Sequence, residues 1–170
     1  MKYSIVYSSI TGNTKMLAEA IREEVDTKNC NYFGAPSEEG TQADLIFVGF
    51  WTDKGTCDEK TKEFLHSLKD KHIFLFGTAG FGSDPSYYDR LLHNVSQNID
   101  DSNTIVGSYM CQGKMPAAVL TRYEKMLQAC PGDEKLLAFM HNYETALAHP
   151  NEEDCTQLKT LVHSIINQSN

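Results

Sequence analysis

Between residues 7 and 21 the chain reads YSSITGNTKMLAEAI, where Ser9, Thr11, Asn13 and Thr14 surround a single glycine, Gly12. Hydroxyls and an amide are neutral hydrogen-bonding groups, and a glycine lets backbone approach a ligand closely. The run follows an apolar segment and opens an amphipathic one, which places it between a strand and a helix. The free N–H groups and the dipole at such a helix start favour an anion, a phosphate above all. Two familiar phosphate loops are excluded. The G-x-x-x-x-G-K-[ST] pattern of ATP and GTP hydrolases is absent, and a G-x-G-x-x-G dinucleotide turn cannot form around one glycine. The same residues could equally serve as an ordinary helix cap.

Other candidate chemistry is sparse. Cysteines stand at 30, 57, 111, 130 and 155, with no C-x-x-C pair and an odd total. Neither a zinc site nor a disulfide framework is expected. The histidines show no ligand spacing, so no metal is expected. Two further loops draw notice: FWTDKGTCD (50–58) and GTAGFGSD (77–84), each following an apolar run. Trp51 is the only tryptophan of the chain. Alone, Trp51 or Phe81 would be read as core.

The elements that must position these loops can be read from periodicity. Residues 2–7, 44–50, 72–77 and 104–110 are β-branched or aromatic in character and are expected strands, with a weaker edge strand around 31–33. The second and third are almost continuously apolar, as when both faces of a sheet are covered. Leu17, Ile21 and Val25 recur at helical spacing after a cap expected at 11–13. Thr56 and Glu59 form a capping-box pattern ahead of Phe64, Leu65 and Leu68. Asp84-Pro85 reads as a cap with proline in the first helical position. This β-α alternation predicts a doubly wound parallel sheet. After residue 111 three helical stripes follow, separated by Pro131-Gly132 and His149-Pro150. That is more helix than the sheet needs.

The pattern Ile5-Val6-Tyr7-x-Ser9-x-x-Gly12-x-Thr14-x-x-x-Ala18-x-x-Ile21 resembles the N-terminal signature of the flavodoxin family at every specified position. The resemblance implies a five-stranded parallel sheet in the order 2-1-3-4-5, with the C-terminal helices as an addition. It implies FMN as cofactor, with Ser9, Thr11, Gly12, Asn13 and Thr14 around the phosphate. The flavin loops would then be Trp51, Thr52, Asp53, Lys54 and Gly55, and Thr78, Ala79, Gly80, Phe81 and Gly82. Phe81 stands where a stacking aromatic residue often lies, and Trp51 beside the expected ring. In flavodoxins a peptide of the middle loop turns its carbonyl toward the flavin as one electron arrives; the peptides flanking Gly55 fit that role. Lys54 departs from the acidic surroundings usual there. The form of GFWTDKG and CQGKM points to a divergent subfamily.

Bulk properties narrow the function. At 170 residues the chain is expected to form a single domain, 1–170. Its formal net charge of -8 argues against nucleic acid, because there is no basic excess to displace counterions. No apolar stretch reaches membrane-spanning length, and the N-terminus holds no signal-like segment, so a cytoplasmic protein with reduced thiols is expected. The leading expectation is a small electron carrier between a reductase and an acceptor enzyme, monomeric or weakly dimeric. The alternative is an FMN-dependent reductase or oxidase acting directly on a quinone, tetrapyrrole or similar planar substrate, with 116–150 helping to build its pocket. Gln112 and Lys114, at the end of the last strand, are candidate contacts for a partner or an acidic substrate.

Overall fold

Apolar side chains alternate along the strands, and this alternation divides the core into two layers. In a computed structural model, which describes residues 1–82 and 84–168, the third strand sends Leu45 and Phe47 to one face. It sends Ile46, Val48 and Phe50 to the other. Ser83, in the third candidate loop, lies outside the described residues.

The elements run β1 (Tyr3–Tyr7), α1 (Asn13–Glu24), β2 (Cys30–Gly34), a short 3-10 turn (Glu38–Gln42), β3 (Leu45–Asp53), β4 (Thr56–Cys57) and α2 (Glu59–Ser67). They continue through β5 (His72–Ala79), α3 (Pro85–Ser96), β6 (Thr104–Gln112), α4 (Ala117–Ala129), α5 (Glu134–Ala146) and α6 (Glu152–Gln168). The sheet order is β2-β1-β3-β5-β6, and every neighbouring pair along it is parallel. Counting the long strands alone, this is the expected order 2-1-3-4-5. The short β4 lies off this path and pairs with β3, antiparallel, through Thr52–Cys57 and Asp53–Thr56. Sequence periodicity did not reveal it, since two residues carry no period.

The chain leaves β1 toward β2 on one side and returns as β3 on the other, so the sheet has its topological switch at β1/β3. Ligands in open α/β sheets bind outside the strand ends at such a point. There β3 and β5 finish side by side, with Trp51 paired to Thr78.

Two layers of helix cover the sheet. On one face Leu17 and Ile21 of α1, with Leu158 and Val162 of α6, pack against Ile5, Phe47 and Phe74. On the other, Phe64 and Leu65 of α2 and Val95 of α3 pack against Val6, Ile46 and Leu75. Each fully buried side chain of this size contributes about 1.5–3 kcal/mol of transfer free energy. The last helix is therefore part of the core. Lys159 and His163 of α6 also pair with Glu23 and Glu24 of α1. The α4–α5 hairpin is the true addition, lying beside the layers.

Start signals were right in kind and shifted in place. The cap of α2 is Asp58, which accepts the Thr61 N–H at 3.4 Å and its hydroxyl at 2.7 Å, while Thr56 belongs to β4. Asp84 caps α3 as expected, accepting from the Ser86 N–H and hydroxyl, each at 2.9 Å. No helix among the described residues is long and apolar enough to cross a membrane.

Candidate functional site

The turn after β1 presents an open helix start. Gly12 precedes α1 at φ 88 and, as the N-cap residue, brings no side chain to cap that end. The first turn of α1 also lacks an acidic residue, so nothing neutralises the positive end of its dipole. An added Cβ at Gly12 would meet no atom within 4 Å; the space above it is empty. Ser9 Oγ accepts the Lys15 N–H at 3.3 Å, which fixes that hydroxyl at the rim.

Asn13 and Thr14 turn inward. The Thr14 side chain is fully buried; its hydroxyl donates to the Phe50 carbonyl at 3.2 Å and lies 3.2 Å from Thr78 Oγ1. Asn13 Nδ2 donates to the Lys114 carbonyl at 2.9 Å. Both side chains therefore tie the turn to its surroundings. The turn offers a ligand its backbone N–H groups and the hydroxyls of Ser9 and Thr11.

The second loop is a tight hairpin. Lys54 and Gly55 have φ 48 and 81 between the paired Asp53 and Thr56, a combination that matches the right-handed twist of the flanking strands. Asn94 of α3 donates Nδ2 to the Gly55 carbonyl at 2.8 Å, so the peptide after Gly55 is held in place. Thr52 Oγ1 donates to the Thr78 carbonyl at 2.9 Å, which joins this loop to the third.

A cavity of about 200 Å³ lies where these segments converge. Ser9, Thr11, Asn13, Thr14, Trp51, Thr52, Thr78, Ala79 and Gly80 line it. Of the remaining expected residues, Gly12, Asp53, Lys54, Gly55, Phe81 and Gly82 lie outside that lining. Phe81 instead meets Phe139 of α5 edge-on, centroids 5.4 Å apart. The missed wall is a strap from Gly113 to Pro116, together with Ile10. Gly113 N–H donates to the Ala79 carbonyl at 2.9 Å, and Lys114 N–H to the His149 carbonyl at 3.0 Å. CQGKM marked this segment in the sequence as a strand end, but nothing there said it folds across the site.

Among the described residues lining the cavity, Lys114 is the only ionisable one. Nearby thiols are inert: burial pushes Cys57 up to about 11 and raises Cys111 further still. Burial likewise keeps the Tyr88 and Tyr109 phenols protonated. Among the described residues no group of His, Cys, Asp or Glu could hold a metal ion. The arrangement can bind an anion with a planar, partly apolar body, and it holds no nucleophile–base pair of its own. A cavity this size is below the usual range for enclosed ligands, about 300–1,000 Å³, so such a body would sit partly in the open mouth.

Residues 4–163 match the family model described as a flavodoxin domain. The chain is 41% identical to the flavodoxin-like domain-containing protein BilS of Clostridium symbiosum, over 98% of this chain and 95% of that protein. Its fold is similar to a flavodoxin of Streptococcus pneumonia, with TM-score 0.59, 14% identity and 99% of each chain covered. It is also similar to a flavoprotein of Lactobacillus acidophilus solved in complex with FMN, with TM-score 0.50 and 17% identity, covering 64% of this chain and 92% of that one.

Proposed function

The chain belongs to the flavodoxin family, whose cofactor is FMN, and from that premise we propose that it is a small FMN-binding electron-transfer protein. It takes low-potential electrons from a reductase and passes them to a redox enzyme. FMN supplies the redox chemistry when bound; the protein supplies orientation and electrostatics. One observation carries the reading: α1 starts on a glycine, free of acids in its first turn, at the mouth of a cavity walled by Trp51. The phosphate takes the N–H groups of residues 12–14 with the Ser9 and Thr11 hydroxyls. The ring lies between Trp51 and the third loop, 78–82, with 52–55 at its edge. The formal net charge of -8 steers the molecule toward basic docking faces. We place this single domain in the cytoplasm, as a monomer or weak dimer.

Titration of the apoprotein with FMN and with riboflavin tests the site. Affinity for FMN well above that for riboflavin is the expected result, because riboflavin lacks the phosphate. Equal affinities would overturn the phosphate placement, and no binding of either would overturn the function.

A second reading is favoured by the strap at 113–116, which walls one side of the cavity where a carrier would leave the flavin open. On it the protein is an FMN-dependent reductase or oxidase acting directly on a planar substrate. Steady-state turnover of a quinone or a tetrapyrrole with no second protein present would select this reading. Turnover only through an added redox protein would select the carrier.

A further inference from the structure

The α4–α5 hairpin is surplus to covering the sheet, yet its contacts converge on one loop. Asn142 of α5 donates Nδ2 to the Gly80 carbonyl at 3.0 Å. Gln112, at the end of β6 and buried, donates Nε2 to the same oxygen at 3.0 Å. Gln112 Nε2 also donates to Asn142 Oδ1 at 3.0 Å, which closes a triangle. Turning either amide over would set an oxygen against the Gly80 oxygen, so the network fixes both orientations. Beside it, Phe139 takes Phe81 edge-on and stacks at a tilt on Tyr123 of α4, centroids 5.6 Å apart. Met115 closes from the strap side; a Cβ on Gly80 would come within 2.6 Å of its Cγ.

We propose that the α4–α5 hairpin is a brace for the third loop, and that Asn142 and Gln112 are positioning residues that fix the Gly80–Phe81 peptide for a ring bound beside it. The inference rests on the proposed FMN site. A carbonyl oxygen has two lone pairs, and here both are filled by protein amides. Gly80 therefore has no acceptor left for a ligand. Its peptide is trans, so the Phe81 N–H points opposite the carbonyl, away from the hairpin. The loop thus offers a donor in a fixed direction and suits the acceptor edge of a planar heterocycle: a carbonyl oxygen or an unprotonated ring nitrogen. A segment holding both Gly80 and Gly82 would otherwise lose much backbone freedom on binding. Bracing it in advance removes that cost from the affinity.

Asn142→Ala tests the brace, with Asn142→Asp as the second variant, since the carboxylate keeps the shape but loses the donor. Three ligands are titrated into each apoprotein: FMN, riboflavin and inorganic phosphate. Amide hydrogen exchange is followed without ligand. In both variants the Kd for FMN and for riboflavin rises by the same factor, about tenfold, the value of one lost hydrogen bond. Phosphate affinity stays unchanged, and exchange quickens at 80–82 while β5 stays protected. Unchanged flavin affinities with unchanged exchange would overturn the brace. So would equal weakening of all three ligands, which marks general loosening. If the unsubstituted protein binds no flavin, the functional reading falls, and exchange at 80–82 alone decides whether the hairpin braces the loop.

Discussion

Gly12 has a backbone role and, in the proposed function, a place beside the phosphate. Its φ of 88 lies where a Cβ costs about 1–2 kcal/mol, yet the space around that Cβ is empty. Gly12→Ala should therefore fold, with stability lowered by about 1–2 kcal/mol. Its methyl group would stand where a phosphate approaches, and FMN affinity should fall by more than the strain explains. Thermal melts beside an FMN titration check both; an unchanged affinity would move the phosphate off this turn. Ser9 and Thr11, singled out by residue type, line the cavity, and Gly12 stands at the helix start outside that lining. Side-chain direction was not legible in the sequence, and Asn13 and Thr14 turn inward because Phe50, Thr78 and the strap give them buried partners. Cys57 makes the same point through its charge. At a helix start its thiolate could have been stabilised, but burial raises it from 9.0 to about 11. A raised folded-state value means the unfolded chain loses its proton first. This contribution to stability is whole below pH 9 and is lost as pH rises to about 11. Cys57→Ala should flatten that part of the alkaline fall in melting temperature. Below pH 9, native protein should react with a thiol reagent at the exposed Cys130 well before the buried Cys57 and Cys111.

At the scale of elements, helix starts separate structure from site. Asp58 is buried and gives α2 two hydrogen bonds through Thr61, and Asp133 caps α5 through the Lys135 and Leu136 N–H groups. These ends are closed. Asp58→Ala removes a buried cap and should cost about 1–2 kcal/mol in urea denaturation, with FMN affinity unchanged, since Asp58 lies outside the cavity lining. A fall in affinity would tie α2 to the site. The long strands, the six helices and the sheet order were legible because burial on one or two faces imposes a period on the sequence. The β3–β4 hairpin was not, although Lys54-Gly55 holds its turn. Its second strand, β4, has only two residues and is too short to alternate. Asn94, which reaches the Gly55 carbonyl from α3, belongs to a pairing that no local pattern encodes.

For the whole molecule, the open question in the sequence was which part of the last third belongs to the core. Periodicity gave three helices with similar stripes and could not say what each faces. The structure separates them: Leu158 and Val162 of α6 are fully buried in the layer with α1, whereas Met126 of α4 and Leu137 of α5 remain about half exposed. The hairpin's two ends also meet, since Lys114 N–H bonds the His149 carbonyl. A segment that leaves and returns at one point can be removed without stretching the rest. Replacing 116–148 with a short glycine linker should therefore leave a folded sheet with α6 in place. It should cost less than Leu158→Ala, a core truncation of about 2–5 kcal/mol. Circular dichroism and urea denaturation of the two variants make the comparison. If the excised chain unfolds while Leu158→Ala survives, the hairpin is a structural member of the core. If it folds but binds FMN more weakly than the intact chain, with phosphate affinity kept, the hairpin acts on the ring loop and not on the phosphate turn. The second result follows from the geometry, because α5 reaches the third loop through Asn142 and Phe139, while the turn after β1, the proposed phosphate turn, is held by Ser9, Phe50 and Lys114.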